Sequence, residues 1–249
     1  GLIIIDECHA VAGSEKFQQL LATYNAVPVV GLSATPFAVG LGKHFERLVV
    51  GATIKDLIEA GYLVDCDIFA PSEPDLKKVR SSKGMDGLLD YNQSDLEEAS
   101  DKPELIGDIL THWRKLASEK QTVVFATSIP HSKHIVETFQ SAGVIAEHID
   151  YHADDDERAA ILGRFARGET MVLSNVALLS EGWDCPACEV MILARPTRSL
   201  IRFIQMVGRV LRPAPGKAKA LLLDHSGSTA RLGHPCDDLP LELDDGKAK

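Results

Sequence analysis

Two adjacent carboxylates near the start of the chain and two arginines near its far end are the residues best suited to chemistry. Asp6 and Glu7 follow directly on Leu2-Ile3-Ile4-Ile5, a short continuous apolar run. Such a run suits a strand covered on both faces in a parallel sheet. Acids just past its end stand at the carboxyl edge of that sheet, where open α/β folds bind ligands. Side by side they repel, and a hydrated divalent cation is the usual way to offset this. Arg209 and Arg212 lie in Gln205-Met206-Val207-Gly208-Arg209-Val210-Leu211-Arg212. Three residues apart, they fall on one side of a helix. Two guanidiniums so placed match a polyphosphate in charge and geometry. The plainer alternative is a solvated basic face, and the flanking apolar residues argue against it.

Other segments are less specific alone. Ser33-Ala34-Thr35 before Pro36 marks a strand end and turn, and by itself reads as a helix cap. Glu181-Gly182-Trp183-Asp184-Cys185-Pro186 is a tight turn that puts Asp184 at a sheet's carboxyl edge; in isolation it is a loop. Cys185 and Cys188, with His234 and Cys236 downstream, have the residue types of a zinc site. Incidental thiols are the preferred reading, because one pair sits inside that turn and the other in the tail. No G-x-x-x-x-G-K-[ST] phosphate loop occurs. Gly42-Lys43 is followed by His44, lacks the upstream glycine and is a decoy.

The elements that must position these groups alternate. Phe17, Leu20, Leu21 and Tyr24 mark a helix face after the first strand, and Val27 to Leu32 read as a second buried strand. Residues 62–70 look extended, and the Pro- and Gly-punctuated stretch to 102 reads as a mobile, partly helical connection. From Pro103, strands at 122–126, 144–149, 171–174, 189–193 and 219–223 alternate with helices, which means a doubly wound parallel sheet. The expected organisation is a first domain over 1–61, a connecting segment over 62–102, a second domain over 103–225 and a loose acidic tail over 226–249.

The 249 residues carry 45% hydrophobic residues and a net charge of −10. That charge argues against a blanket electrostatic grip on nucleic acid but leaves room for a local basic channel. No run approaches membrane-spanning length, and five scattered cysteines suit a reducing cytoplasm. The first residue already stands in a strand, without an initiator Met, so the expectation is a piece of a longer chain.

The order of the motifs carries a resemblance. Ile5-Asp6-Glu7-Cys8-His9, Ser33-Ala34-Thr35, Val124-Phe125-Ala126-Thr127-Ser128, Glu181-Gly182-Trp183-Asp184 and Gln205 to Arg212 resemble motifs II to VI of superfamily 2 helicases. The likeness covers most of residues 1–225. It is nearest to the DEAD/DEAH-box group that includes bacterial and phage DNA helicases and restriction-type translocase subunits. Ala194 to Ser199 and Leu223 to Gly227 also resemble that branch.

The resemblance implies two RecA-like domains, each a parallel sheet flanked by helices, with the first truncated. It implies ATP and Mg²⁺ as ligands, with Asp6 holding the metal through water and Glu7 acting as the base on the attacking water. Arg209 and Arg212 become arginine fingers, His9 couples to Gln205, and Gly182 and Asp184 meet the nucleotide or those arginines. Ser33 and Thr35 link nucleotide state to strand binding. Thr127, Ser128, Ser174, Asn175 and Ser180 become contacts to a phosphate backbone. The segment from Ser174 to Gly182 is longer than in the RNA-helicase form, which puts the individual contacts there, at Ser174, Asn175 and Ser180, in question. The implied protein is an ATP-dependent helicase or translocase on DNA, with RNA the alternative strand. It would work alone or with subunits of a repair, phage or restriction system, in the cytoplasm and away from membranes. Its rivals are the motor subunit of a restriction enzyme and a non-catalytic nucleic-acid-binding module.

Overall fold

The computed structural model describes residues 1–83, 89–180, 183–237, 239 and 241–246. The elements run β1 (Ile3–Ile5), α1 (Glu15–Thr23), β2 (Val29–Gly31), α2 (Ile54–Glu59), β3 (Asp65–Phe69), β4 (Ser81–Lys83), β5 (Leu89–Tyr91), α3 (Gln93–Ser100) and α4 (Pro103–Leu116). They continue with β6 (Thr122–Phe125), α5 (Ile129–Ser141), β7 (Ala146–Ile149), α6 (Asp155–Ala166), β8 (Val172–Asn175), β9 (Val190–Leu193), α7 (Leu200–Gly208), β10 (Lys219–Asp224) and α8 (Ser228–Leu232).

Six parallel strands in the order β3-β10-β9-β6-β8-β7 form the main sheet. Because successive strand residues point to opposite faces, each central strand feeds two cores. Val123, Phe125, Met191 and Leu193 pack with Phe165 of α6 and Phe203 and Val207 of α7. Val124, Val190 and Ile192 pack with Ile109 and Trp113 of α4 and Ile135 and Phe139 of α5. A sheet buried on both sides needs apolar residues at every position, and the runs over β6 and β9 meet that need.

Local chemistry sets where the helices begin. Ser128, Asp154 and Ser199 are side-chain N-caps of α5, α6 and α7. Pro103 opens α4 in its first turn, where its missing N–H costs nothing. Thr53 and Asp56 form a reciprocal capping box on the short α2.

β1 and β2 form a separate parallel pair. Ile5, Cys8, Val11, Ala38 and Leu41 make its core, and Ile201 of α7 joins them, so the two units share packing. Burial on both faces of β1, expected from its apolar run, does not occur. Ile5 is buried, but Ile4 is 61% exposed, because β1 has β2 as its one strand partner and nothing described covers its other face. The helix face at Phe17 and Leu21 is only partly buried, and Leu20 and Tyr24 are exposed.

Three further expectations change. The extended stretch at 62–70 is the edge strand of the main sheet, held in register along β10, rather than part of a connection. The hairpin-like β4–β5 pair is docked: buried Asp90 accepts from Thr197 Oγ1 (2.9 Å), the Arg198 amide (2.8 Å) and Arg202 Nη1 (2.7 Å). The tail, expected loose from 226, begins as ordered structure. Asp224 accepts from the amides and hydroxyls of both Ser226 and Thr229, which folds the chain into α8. Further on, the Asp244 carbonyl accepts the Gly42 amide at 2.7 Å, returning the tail to the first unit. Gly42-Lys43 is thus a turn tied to the tail.

Candidate active site

β1 and β2 end side by side. The Leu32 amide donates to Ile5 O (2.8 Å) and the Cys8 amide to Leu32 O (2.9 Å). This brings Asp6-Glu7 and Ser33-Ala34-Thr35, some 25 residues apart in sequence, to one sheet edge. Glu7 sits in the left-handed region at φ 49°, uncommon for a residue with a side chain. The bend sends the chain into the short helical turn Cys8–Gly13 and leaves both carboxylates exposed.

His9 is the hub of this edge. Its Nδ1 lies 3.1 Å from Ser33 Oγ and 3.3 Å from Glu7 Oε2. Its Nε2 faces Gln205 Nε2 of α7 at 3.4 Å. One neutral tautomer satisfies all three contacts: Nδ1–H donates toward Ser33 and Glu7, and Nε2 accepts from the Gln205 amide. Ser33 Oγ in turn accepts the Thr35 amide (3.0 Å). Thr35 is fully buried, and its hydroxyl makes no hydrogen bond to the described residues.

Across from this edge the second unit contributes Arg209 and Arg212. The expectation that one helix carries both is corrected. α7 ends at Gly208, Arg209 is its C-cap, and Arg212 lies in the turn beyond, ahead of Pro213. The two still meet at one place. Arg209 Nη1 donates to Trp183 O (3.0 Å), and Arg212 pairs with Asp184. The turn at 183–186 therefore steers both guanidiniums. Gly182 and the Ser180 side chain lie outside the described residues.

Asp6, Glu7, Thr35, Gln205, Arg209 and Arg212 line a single cleft of about 790 Å³ between the units. A site of that size with acids on one wall and guanidiniums on the other suits an anionic ligand that arrives with a cation. Sequence reasoning missed other parts of its wall: Thr53 at the start of α2, and Asp237, Leu239 and Leu241 of the tail. None belongs to a motif, and only the return of the tail brings the last three there.

The side chains expected to meet a phosphate backbone are inside the second unit. Thr127 is fully buried with its hydroxyl 2.7 Å from His131 Nδ1, and Ser128 caps α5. Ser174 Oγ lies 2.6 Å from Ser132 Oγ, while Asn175 donates to Val124 O (2.8 Å) and accepts the Leu179 amide (3.1 Å). These groups are spent on satisfying buried partners, as polar groups in a low-dielectric interior must be. Cys185 and Cys188 are also packing residues of the core. Burial pushes the Cys188 thiol up to about 12, and its Sγ donates to Val190 O at 3.4 Å.

Comparison with known proteins agrees with this architecture. The family "Helicase conserved C-terminal domain" matches residues 101–214, and "Type III restriction enzyme, res subunit" matches residues 1–38. A 51.5 kDa protein of a Lactococcus phage (isolate 7-9) is 32% identical over 90% of this chain and 48% of its own length. A Saccharomyces cerevisiae protein provisionally named ATP-dependent helicase IRC3 is 29% identical over 98% of this chain and 37% of its own. The chain thus spans about half the length, or less, of the curated relatives it matches. A fragment assigned as the HsdR subunit of a type I restriction enzyme from Vibrio vulnificus YJ016 superposes with a TM-score of 0.71 at 21% identity, over 99% of this chain and 46% of that one. Residues 101–214 carry the helicase conserved C-terminal domain, and together with these relatives this supports a superfamily 2 helicase fragment. Its fold is RecA-like.

Proposed function

We propose that this chain is the part of an ATP-dependent DNA helicase or translocase that carries the hydrolytic carboxylates, the arginine fingers and the contact joining them. One observation carries the reading: Asp6 and Glu7 face Arg209 and Arg212 across one cleft, and His9 meets Gln205 over the same gap. The order of motifs and the family match support it. RNA remains the alternative strand.

In this reading ATP is the substrate. Asp6 is the residue that would hold Mg²⁺ through water; the metal, when bound, would neutralise phosphate charge. Glu7 orients the attacking water and takes its proton. Arg209 and Arg212 neutralise charge developing on the γ-phosphate, a task in which positioning and electrostatics supply nearly all the catalysis. Trp183 and Asp184 hold those arginines ready. The His9–Gln205 contact links the Glu7 wall to α7, so opening or closing the cleft is felt at the base. Ser33, hydrogen-bonded to His9, and Thr35 extend that link along the sheet edge. The network connects hydrolysis to movement of one unit against the other.

The chain contains no phosphate loop of the G-x-x-x-x-G-K-[ST] type, so the chain alone should bind ATP weakly and turn over almost none. The test uses the parent protein. Wild type, Glu7→Gln and Arg209→Ala are assayed for ATPase with and without DNA. Strand-stimulated turnover in wild type, with a fall of about 10³-fold in Arg209→Ala and comparable loss in Glu7→Gln, is expected. DNA binding without turnover in wild type would instead indicate a non-catalytic binding module.

A second reading, the motor subunit of a restriction enzyme, is favoured by the restriction-subunit family match over residues 1–38. A nicking assay on the same parent protein separates it from a helicase acting alone.

A further inference from the structure

We propose that Cys66, His234 and Cys236 form a zinc site that fastens the segment after α8 to the edge strand β3. The sequence associates His234 and Cys236 with Cys185 and Cys188. The structure separates these pairs and puts Cys66, from a strand some 170 residues earlier, in their place. Among the described residues these three are the one group of such side chains whose donor atoms all lie within 4.8 Å of one another.

The spacing is that of a tetrahedral ion. Zinc binds thiolate sulfur at about 2.3 Å and imidazole nitrogen at about 2.0–2.1 Å. Tetrahedral angles then set two sulfurs about 3.8 Å apart, and sulfur and nitrogen about 3.6 Å apart. The Cys66 and Cys236 sulfurs stand 3.6 Å apart. A disulfide would need them at about 2.05 Å and would have no use for the imidazole. The chain is also shaped for the site. Gly233, at φ +89°, turns the backbone out of α8, and the Cys236 amide donates to His234 Nδ1 at 3.2 Å, holding the ring over the second thiol. Metal binding at Nδ1 would take over that lone pair. Cys66 is buried as the second residue of β3, whose register along β10 holds it in place, while Cys236 is half-buried and reachable by an ion.

Binding Zn²⁺ converts both thiols to thiolates and releases their two protons to solvent, leaving a neutral three-ligand unit. The fourth position falls to water or to the carboxylate of Asp65, next to Cys66 in β3. Lys219 pairs with both Asp65 (3.4 Å) and Asp67 (2.8 Å), which leaves one net negative charge beside the site, in favour of a cation. The consequence reaches the cleft. Asp237, Leu239 and Leu241, which line it beside Arg212, begin immediately after Cys236. A zinc ion would pin the base of that wall to the main sheet. The proposal does not depend on the functional reading.

Tag-free chain from zinc-supplemented cultures, purified without chelator, is assayed for metal by inductively coupled plasma mass spectrometry. About one zinc per chain is expected for wild type and Cys185→Ser, and less than about a tenth for Cys236→Ser, with His234→Ala weakened at least about tenfold. On wild type alone, maleimide should label Cys236 at least about tenfold faster after chelation than with zinc present. Wild type without zinc, or Cys236→Ser retaining it, would overturn the proposal. So would a Cys66–Cys236 disulfide in the metal-free chain, or Cys236 labelling indifferent to the chelator.

Discussion

Acid should unfold this protein through two buried histidines. His131 of α5 and His225 after β10 are each pushed down to about 4 from an ordinary 6.5, first by burial. The hydrogen bonds explain why a proton is unwelcome at His131. Its Nδ1 accepts the Thr127 amide (3.3 Å), so the neutral ring carries its hydrogen on Nε2, and Nε2 has no partner among the described residues. Protonating Nδ1 would oppose an N–H to an N–H. His225 Nδ1 likewise faces Ser72 Oγ (3.1 Å), with an unpartnered Nε2. Between pH 6.5 and 4 the unfolded chain binds protons that the folded chain refuses, so stability is fully present above 6.5 and lost as pH falls. From pH 7 to 5 each histidine should remove about 2 kcal/mol. Two such losses are a large part of a typical domain's 5–15 kcal/mol. His134 works in the opposite sense, since Asp101 raises it, but it is exposed and screening makes its share small. Urea unfolding followed by circular dichroism at half-unit steps from pH 7.5 to 5 measures the slope. His131→Gln and His225→Gln should each remove roughly half of it, whatever they do to absolute stability. An unchanged slope in the double variant would refute the assignment.

Three further outcomes are expected. Asp90→Asn keeps the shape of a buried side chain but leaves Arg202 and the Arg198 amide facing a neutral group; urea unfolding should show a loss of about 3 kcal/mol. Gly31→Ala would place a Cβ 2.7 Å from Cys8 Sγ and 2.8 Å from Phe45 Cε1, both in the first unit's core, and thermal unfolding should register about 1–3 kcal/mol of overpacking. In the parent protein, Asp184→Ala frees Arg212 from its pairing partner; ATPase should fall mainly in kcat, and by less than in Arg209→Ala.

The motifs were legible because their chemistry is local. The carboxylate pair follows a strand, the arginine pair follows a packed helix, and residue type at fixed spacing records both. The same holds for β6 and β9, whose apolar runs are buried on both faces of the parallel sheet. Positions that depend on remote partners were not legible. Thr127, Ser128, Ser174 and Asn175 have the residue types of phosphate contacts, but each side chain is taken up by a buried neighbour. Asp90 belongs to no motif, yet it ties β5 to the start of α7 across more than a hundred residues.

By itself, then, the sequence determined the alternation of strands and helices and singled out Asp6, Glu7, Arg209 and Arg212 as candidates, because periodicity and spacing are properties of a single chain. Only the tertiary structure decided that α7 stops at Gly208 and that Asp184 rather than helix geometry orients Arg212. It alone exchanged Cys185 and Cys188 for Cys66 beside His234 and Cys236. Those outcomes rest on which surfaces meet when the sheet closes, and burial, hydrogen-bond satisfaction and charge pairing are settled at that contact.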